Sequence, residues 1–199
     1  MPDTVTTFVR APFILFGEWF AAALAAEPRD ANAMTLATST PDGAPSARTV
    51  LLKGWDERGF VFYTNLESRK GVELAANPRA AILFYWKSLS RQIRIEGAIG
   101  PVSPHEADAY YASRPRLSRI GAWASEQSRP LARRADLEAR VAAFEARYPA
   151  DPVPRPPFWS GFRLTPVRFE FWEEQPFRLH DRRTFVRTGA DWQPSLLYP

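Results

Sequence analysis

The chain has 199 residues, of which 45% are hydrophobic, and this length predicts one domain with a single sizeable core. Cysteine is absent, which excludes disulfides, thiolate metal ligands and a cysteine nucleophile, so any oxidation chemistry requires a cofactor. The net charge of +4 is too slight to indicate a nucleic-acid partner but fits small anionic ligands. No stretch is typical of a signal peptide or a membrane span, and we expect a cytoplasmic protein.

The first third of the chain predicts one helix followed by short strands. Large apolar residues from Phe13 to Leu24 recur at helical spacing, and Glu27-Pro28 ends the pattern, so a helix is predicted over residues 12–27. Residues 1–11 are expected to be flexible. Strands are predicted at 33–38, 47–53 and 60–64, with turns at 41–43 and 56–59.

The rest of the chain continues as strands with inserted helices. Ser103 and Glu106 form a capping box with Pro104 at the first helical position, which predicts a helix to about residue 113. The proline-rich segment 149–157 is predicted to be a short, stiff connector. Further helices are predicted at 68–76 and around 137–148, and further strands at 80–86, 92–99, 161–172, 184–187 and around Trp192.

The order of these elements predicts the fold class. Six or more β segments in meander order, with helices inserted between them, indicate an α+β, mainly β fold. We expect a small antiparallel β-barrel with peripheral helices, because closure removes exposed sheet edges. Residues 1–199 are predicted to form one domain.

Four clusters of basic and polar residues interrupt the strand pattern. One such cluster alone is more often solvated surface, but their repetition favours binding of anions. The clusters are Arg48 with Lys53, Tyr63-Thr64 with Arg69-Lys70, Arg114 with Arg116 and Ser118, and Arg178 with His180 and Arg182.

Two of these clusters have a physical reason to bind an anion. Arg69 and Lys70 follow Ser68 at a predicted helix N-terminus, where the helix dipole disfavours cations and favours a phosphate. Arg48 and Lys53 bracket an apolar strand that contains no acidic residue. A buried cation needs a partner, so an anionic ligand is the expected partner there.

His180 is one of only two histidines. A lone histidine is more often structural than catalytic, and its position between Arg178 and Arg182 favours hydrogen bonding or proton acceptance over metal binding. No second metal ligand stands at useful spacing, and no glycine-rich dinucleotide or phosphate loop is present. A nucleotide-like cofactor therefore needs a site built from side chains, and Trp172 is a candidate for contact with a flat ring.

The C-terminal segment resembles the signature of a known family. Phe169-Glu170-Phe171-Trp172, followed after five residues by Arg178-Leu179-His180-Asp181-Arg182, is similar to the pyridoxine/pyridoxamine 5′-phosphate oxidases. Other segments resemble the same family, in the family's order, from about residue 12 onward. They are Arg48-Thr49-Val50-Leu51-Leu52-Lys53, Phe62-Tyr63-Thr64-Asn65, Ser68-Arg69-Lys70, Arg91-Gln92, Ser113-Arg114-Pro115-Arg116, Ile120-Gly121-Ala122-Trp123 and Gln127-Ser128.

The resemblance implies an FMN-binding split β-barrel that works as a homodimer, with two flavin sites at the subunit interface. It implies oxidation of pyridoxamine or pyridoxine 5′-phosphate to pyridoxal 5′-phosphate, with O₂ as acceptor and H₂O₂ as product. It implies no metal, nucleic-acid or membrane partner.

The resemblance also implies roles for individual residues. Arg178 and His180 are the expected catalytic residues. The FMN phosphate is assigned to Arg48, Arg69, Lys70 and Ser128, and the substrate phosphate to Lys53, Tyr110, Arg114 and Ser118. The full cofactor set is Arg48, Thr49, Val50, Leu51, Leu52, Lys53, Tyr63, Thr64, Arg69, Lys70, Gln92, Gln127, Ser128, Trp172 and Arg182, and the full substrate set is Lys53, Tyr110, Arg114, Ser118, Arg178, Leu179 and His180.

Three other functions stay open. A related split-barrel oxidase of the phenazine-pathway type is expected to vary the substrate-phosphate residues, which are retained here. A non-catalytic flavin or B6-phosphate binding protein is disfavoured by the intact pair Arg178 and His180. A basic barrel that binds single-stranded nucleic acid through aromatic residues predicts no bound flavin.

Overall fold

The computed structural model describes the backbone of residues 4–199 and the side chains of residues 11–199. Within this range nine strands form one antiparallel sheet with five α-helices around it. The strands are β1 (Ala33–Ser39), β2 (Pro45–Leu51), β3 (Gly54–Asp56), β4 (Gly59–Asn65), β5 (Arg79–Trp86), β6 (Arg91–Pro101), β7 (Trp159–Glu173), β8 (Asp181–Thr188) and β9 (Asp191–Leu196). The helices are α1 (Thr4–Ala26), α2 (Arg69–Ala76), α3 (Pro104–Ser113), α4 (Arg116–Ala124) and α5 (Arg134–Arg147).

The sheet curls because its two ends are adjacent in the chain. The strands lie in the order β2-β1-β5-β6-β7-β4-β3, so β2 and β3 are at opposite ends. β2 ends at Leu51 and β3 begins at Gly54, and three Cα–Cα steps span at most about 11 Å. The N–H of Lys53 also donates to the carbonyl of Val61 in β4, at 2.9 Å. The sheet therefore bends into a half-barrel, which confirms the predicted fold class.

The long strand β7 organises the C-terminal part. Its first half pairs with β4, its second half pairs with β8, and β6 pairs along most of its length. Trp172 consequently lies between Gln92 on β6 and Arg182 on β8, as the register of both pairings shows. Three residues that are distant in sequence are thus neighbours across three strands.

One hydrophobic core extends from Phe13 in α1 to Trp192 in β9. Phe16 is fully buried, and its ring centre lies 4.8 Å from that of Phe60 and 5.5 Å from that of Phe84. Burial of side chains of this size contributes about 1.5–3 kcal/mol each. The one-domain expectation stays a prediction, which this continuous core supports.

Most predicted elements are confirmed, and the differences have local causes. α1 begins at Thr4 rather than at residue 12 and runs through Pro12. β3 has three residues, too few for an alternating pattern. α4 was not predicted, and its N-cap, Pro115, makes no capping hydrogen bond, so the usual start signal is missing. Among the described residues, no helix is long and apolar enough to cross a membrane.

Candidate active site

An open cleft of about 830 Å³ lies between β2, β4, α2 and the region from α3 to α4. In the described part of the chain its lining contains five cationic side chains and no carboxylate. A cleft of this composition attracts anions. The lining residues are the cations Arg48, Lys53, Arg69, Lys70 and Arg114, the aromatics Tyr63, Tyr110 and Trp159, and Ser46, Ala47, Thr49, Val50, Leu51, Thr64, Pro115, Ser118, Gln127 and Ser128.

The N-terminus of α2 brings Arg69 and Lys70 to the cleft. Ser68 is the N-cap residue, and its hydroxyl accepts a hydrogen bond from the N–H of Gly71 at 3.4 Å. This cap fixes the first turn at the predicted place. Both cations therefore project from the end of the helix where the dipole also favours an anion.

Lys70 is a buried cation whose hydrogen-bond partners are all neutral. Its side chain is 8% exposed, and Nζ donates to Thr64 Oγ1 at 3.1 Å, Ser68 Oγ at 3.2 Å and Gln127 Oε1 at 2.8 Å. Burial lowers the pKa of Lys70, the charge of Arg48 lowers it further, and Glu73 opposes both. A buried ammonium held in this way is stabilised by an anion in the adjacent cleft.

Arg48 has an acidic partner from outside its strand, so a bound ligand is not the only anion that compensates its charge. Its Nη2 lies 3.3 Å from Oε2 of Glu73, a buried residue of α2. Nε of Arg69 lies 2.8 Å from Oε1 of the same carboxylate, and the hydroxyls of Thr38 and Ser46 donate to it. The strand itself has no acid, but a helix packed beside the strand supplies one. Spacing within a strand cannot reveal such a partner.

The pKa of Glu73 is about 2 as a result of these contacts. Burial alone raises the pKa of a carboxyl group, but hydrogen bonds from Ser46, Thr38 and Arg69 and the charge of Arg48 lower it by more. Glu73 is therefore an anion at neutral pH, placed directly behind the cations of the cleft.

Stacked aromatic rings form another wall of the cleft. The ring of Tyr63 lies parallel to that of Tyr110 at 4.0 Å and to that of Trp159 at 5.4 Å. Gly161 makes this possible, because a Cβ at that position would lie 2.7 Å from ring atoms of Tyr63. These rings offer flat apolar surface beside the cations.

Arg114 occupies the aromatic end of the cleft. Its guanidinium lies 4.9 Å from the centre of the Trp159 ring, and its buried Nη1 has no hydrogen-bond partner. Burial lowers the pKa of Arg114, while Tyr110 and Tyr111 oppose that effect. An unpartnered buried guanidinium nitrogen beside a cleft is matched by an oxyanion of a ligand. Arg116 of the same predicted cluster lies elsewhere, where it donates to the carbonyl of Tyr148.

A second group of predicted residues lies outside the cleft lining. We call Gln92, Trp172, Arg178, His180 and Arg182 the C-terminal cluster. The rings of Trp172 and His180 are 4.6 Å apart, and Nδ1 of His180 accepts a hydrogen bond from the N–H of Gln175 at 3.2 Å. Arg182 pairs with the buried Glu170 at 2.7 Å. The C-terminal cluster is thus ordered, with the Nε2 edge of His180 left for other contacts.

The loop before His180 is strained and exposed. Phe177 and Arg178 have φ values of 60° and 63°, in the left-handed region that residues other than glycine seldom adopt. Each such residue costs about 1–3 kcal/mol. The side chains of Phe177 and Leu179 are 93% and 67% exposed. The loop therefore presents two apolar side chains, with Arg178 between them, to the surroundings of the subunit.

Leu52 is the predicted cofactor residue that the structure separates from both groups. Its side chain is 4% exposed and belongs to the hydrophobic core. Its N–H and C=O are both bonded to Asn32, at 2.8 and 3.0 Å. The side chain is therefore not available to a ligand in the cleft.

Trp159, which lines the cleft, and Glu73, which lies behind its cations, were not singled out from the sequence. Trp159 follows the proline-rich connector, and nothing in that position distinguishes it from the core tryptophans. Glu73 carried a usable signal, because it stands four residues after Arg69 on a predicted helix, the spacing of a helical ion pair.

The half-barrel and its cleft define a class of protein that binds phosphorylated aromatic ligands. Comparison with known proteins gives the family. Residues 20–148 match the family described as pyridoxamine 5′-phosphate oxidase, and residues 159–199 match the pyridoxine 5′-phosphate oxidase C-terminal dimerisation region. The chain belongs to the pyridoxamine 5′-phosphate oxidase family.

Individual relatives agree with this assignment. The chain is 62% identical to pyridoxine/pyridoxamine 5′-phosphate oxidases of Azorhizobium caulinodans and Sphingopyxis alaskensis, over 94% of this chain and 90% and 87% of the relatives. PhzG of Burkholderia lata, solved in complex with tetrahydrophenazine-1-carboxylic acid, has a TM-score of 0.89 and 37% identity, over 94% of this chain and 92% of that one. An FMN-binding protein of Nostoc punctiforme, at 21% identity and a TM-score of 0.74 over 92% and 96% of the chains, shares the fold.

Proposed function

We propose that the protein is an FMN-dependent oxidase that converts pyridoxamine or pyridoxine 5′-phosphate to pyridoxal 5′-phosphate, with O₂ as acceptor and release of H₂O₂. With the amine substrate, water is also consumed and ammonia is released. The observation that carries this proposal is a cleft with five cations and no carboxylate, in which the buried Lys70 and the half-buried Arg114 have no acidic partner among the described residues. Two anion positions in one cleft match two phosphate esters, one on the cofactor and one on the substrate.

The residues around Lys70 fit the phosphate of FMN. Arg48 and Arg69 present guanidinium groups, Lys70 presents an ammonium, and the N-terminus of α2 adds its dipole. Gln127 and Ser128 line the same region and would bind the flavin. When bound, FMN accepts a hydride equivalent from C4′ of the substrate, and O₂ reoxidises it.

The residues around Arg114 fit the phosphate of the substrate. Arg114 has an unpartnered buried nitrogen, and Lys53, Tyr110 and Ser118 line the cleft beside it. Fixed phosphate positions at the two ends of the cleft would hold both rings in one relative orientation. Positioning of this kind is a large part of catalysis when the cofactor supplies the chemistry.

We further propose that each site combines the cleft of one subunit with the C-terminal cluster of its partner. Residues 159–199 match a dimerisation region, and the exposed apolar side chains Phe177, Leu179, Leu196 and Tyr198 lie within it. Exposed apolar surface of this kind is typical of an interface. On this proposal Trp172 and Arg182 contact the flavin, while Arg178 and His180 orient the substrate and handle its proton.

The decisive experiment is to purify the protein, record its visible spectrum, and measure peroxide and pyridoxal 5′-phosphate formed from both substrates. We expect a yellow protein that turns over both phosphates. Arg48→Ala and Lys70→Met should lose flavin, whereas Arg178→Ala and His180→Ala should keep it and lose turnover. Full FMN occupancy in Arg48→Ala would contradict the phosphate assignment.

The same assay tests the two alternatives that keep the flavin, a flavin oxidase with a different substrate and a non-catalytic flavin-binding protein. The protein solved with a tetrahydrophenazine ligand is 37% identical to this chain, and relatives named as B6-phosphate oxidases are 62% identical. This difference favours the B6 phosphates. Bound FMN without turnover of either phosphate would support these alternatives. A cytoplasmic location stays a prediction.

A further inference from the structure

Glu73 is the carboxylate that contacts the cations assigned to the FMN phosphate. It pairs with Arg48 at 3.3 Å and with Arg69 at 2.8 Å, and its side chain is 4% exposed. Hydroxyl groups of Thr38 and Ser46 complete its environment. It does not itself line the cleft. Glu73 therefore contacts the two arginines from the side away from the cleft and does not occupy the space that a ligand would fill.

We propose that Glu73 is a built-in counter-anion that holds Arg48 and Arg69 in place before FMN binds and limits the positive charge that the phosphate meets. It is a positioning residue, because it acts through the two arginines. This inference rests on the proposed FMN site.

The charges support this role. Arg48, Arg69 and Lys70 carry three positive charges, and Glu73 leaves a net charge of +2. A phosphate monoester carries about −1.5 to −2 near neutral pH, so the site with Glu73 balances the ligand. Without Glu73, three cations would face one another in the empty site. Mutual repulsion of that kind is already present between Arg48 and Lys70, where it depresses the pKa of the lysine.

The geometry leaves Arg69 able to bind a ligand at the same time. Glu73 engages Nε of Arg69, and among the described residues no hydrogen bond runs from the two terminal nitrogens of Arg69. A guanidinium has five N–H donors, so one carboxylate does not saturate it. Arg69 is also 63% exposed on its side chain, which leaves those nitrogens open to the cleft.

Two opposite effects follow for Glu73→Gln, which keeps an acceptor for Thr38 and Ser46 but removes the charge. The flavin-free protein should become less stable, because the three cations lose their counter-anion. The FMN-bound protein should lose less, because the phosphate replaces that charge. By the thermodynamic cycle, FMN must then bind the variant more tightly. A purely structural role would weaken both stability and binding.

The test is to titrate flavin-depleted, full-length wild type and Glu73→Gln with FMN and with riboflavin, which lacks the phosphate. We expect the Kd for FMN to fall on the order of 3- to 10-fold in the variant, with a steeper salt dependence. The Kd for riboflavin should not change. The melting temperature without FMN should fall, and the rise on adding FMN should be larger than in wild type.

Glu138→Gln is the matched control, because Glu138 is 64% exposed and pairs with Arg134 on α5, away from the cleft. It removes the same charge and should leave FMN binding unchanged. Glu73→Asp retracts the carboxylate by one methylene. It should show a smaller loss of stability without FMN and a smaller gain in FMN affinity, so the test remains possible if Glu73→Gln does not fold.

Unchanged or weaker FMN binding in both Glu73 variants overturns the inference. An equal effect on riboflavin also overturns it, because the charge would then not act through the phosphate. Failure of wild type to bind FMN would instead refute the proposed function, so the two failures are distinguishable.

Discussion

The guanidinium of Arg114 lies over the indole ring of Trp159, 4.9 Å from the ring centre. The same indole lies parallel to the ring of Tyr63 at 5.4 Å and is only 6% exposed. A cation over an aromatic face contributes about 0.5–2 kcal/mol, with the larger values at desolvated sites. Trp159 thus fixes the arginine proposed to hold the substrate phosphate, although it would not contact that phosphate itself.

Replacement of Trp159 by Leu should therefore affect the substrate more than the cofactor. We expect the KM for pyridoxine 5′-phosphate to rise about 3- to 30-fold, because the guanidinium of Arg114 loses its contact with the aromatic face. The Kd for FMN should stay near the wild-type value. Trp159→Phe, which keeps an aromatic face, should recover most of the loss. Equal losses of FMN and substrate affinity would show that Trp159 only stabilises the fold.

The composite site gives a sharp prediction for mixed dimers. Arg48→Ala damages the cleft and His180→Ala damages the C-terminal cluster. If each site takes one part from each subunit, a mixed dimer has one site with both lesions and one with neither. Random association of the two inactive variants should then restore about a quarter of the wild-type activity, since half of the dimers are mixed.

Controls make that experiment decisive. Each variant refolded or co-expressed with itself should stay inactive, and the double variant mixed with either single variant should not recover. No recovery in mixtures of Arg48→Ala and His180→Ala would mean that one subunit supplies both parts of its own site. The measured quantity is peroxide formed per subunit in the presence of excess FMN.

The sequence predicts the features of this protein that depend on neighbours along the chain. The helix that starts after Ser68 and the strand predicted at 92–99, in which Ile93 and Ile95 are buried, depend on local patterns, and both are confirmed. Glu73 and Arg48 meet across a helix and a strand, so no local pattern reveals their pairing. The motif match includes Leu52 but does not tell that its side chain faces the core.

The sequence did not show how the cleft residues and the C-terminal cluster lie relative to each other. The residues of the cleft and of the C-terminal cluster all occur in the expected order, yet the structure of one subunit separates them into two groups. A linear motif records which residues take part but not which subunit supplies them. That information lies in the contact between chains.

On the proposed assignment of Lys70 to the FMN phosphate, we expect FMN affinity to be sensitive to alkaline pH. Burial, and then the charge of Arg48, lower the pKa of Lys70 below its ordinary value of 10.5. A bound phosphate stabilises the charged form, so the pKa is higher in the complex, and above the pKa of the free protein FMN binding must take up a proton. The affinity should fall by up to about tenfold per pH unit in that range.

The measurement is the Kd for FMN from pH 7 to pH 10, with riboflavin as the reference ligand. Wild type should lose FMN affinity relative to riboflavin before pH 10.5, and Lys70→Met should bind FMN weakly with no such dependence. Lys70→Met should also be no less stable than wild type without flavin, because burial of the charged lysine disfavours the folded state. A flat profile in wild type would contradict the role of Lys70.

Glu73 should dominate the loss of stability in acid. Its pKa is about 2 in the folded protein and ordinarily 4.5, so its contribution is fully present above about pH 4.5 and is lost as the pH falls towards 2. Lowered pKa values of Asp56 and Glu106 act in the same direction. The free energy of unfolding at fixed protein and FMN concentration should therefore decline steeply between about pH 4.5 and pH 2, the range between the ordinary and the folded-state pKa of Glu73.

Glu73→Gln should flatten this decline, because the residue no longer titrates. The free energy of unfolding of the variant should lie on the order of 2 kcal/mol below wild type at pH 7 and approach it near pH 2. Glu138→Gln, at an exposed ion pair, should follow the wild-type curve. Urea titrations at each pH measure the difference. Parallel curves for wild type and Glu73→Gln would mean that the carboxylate of Glu73 is not held at a low pKa by its arginine and hydroxyl partners.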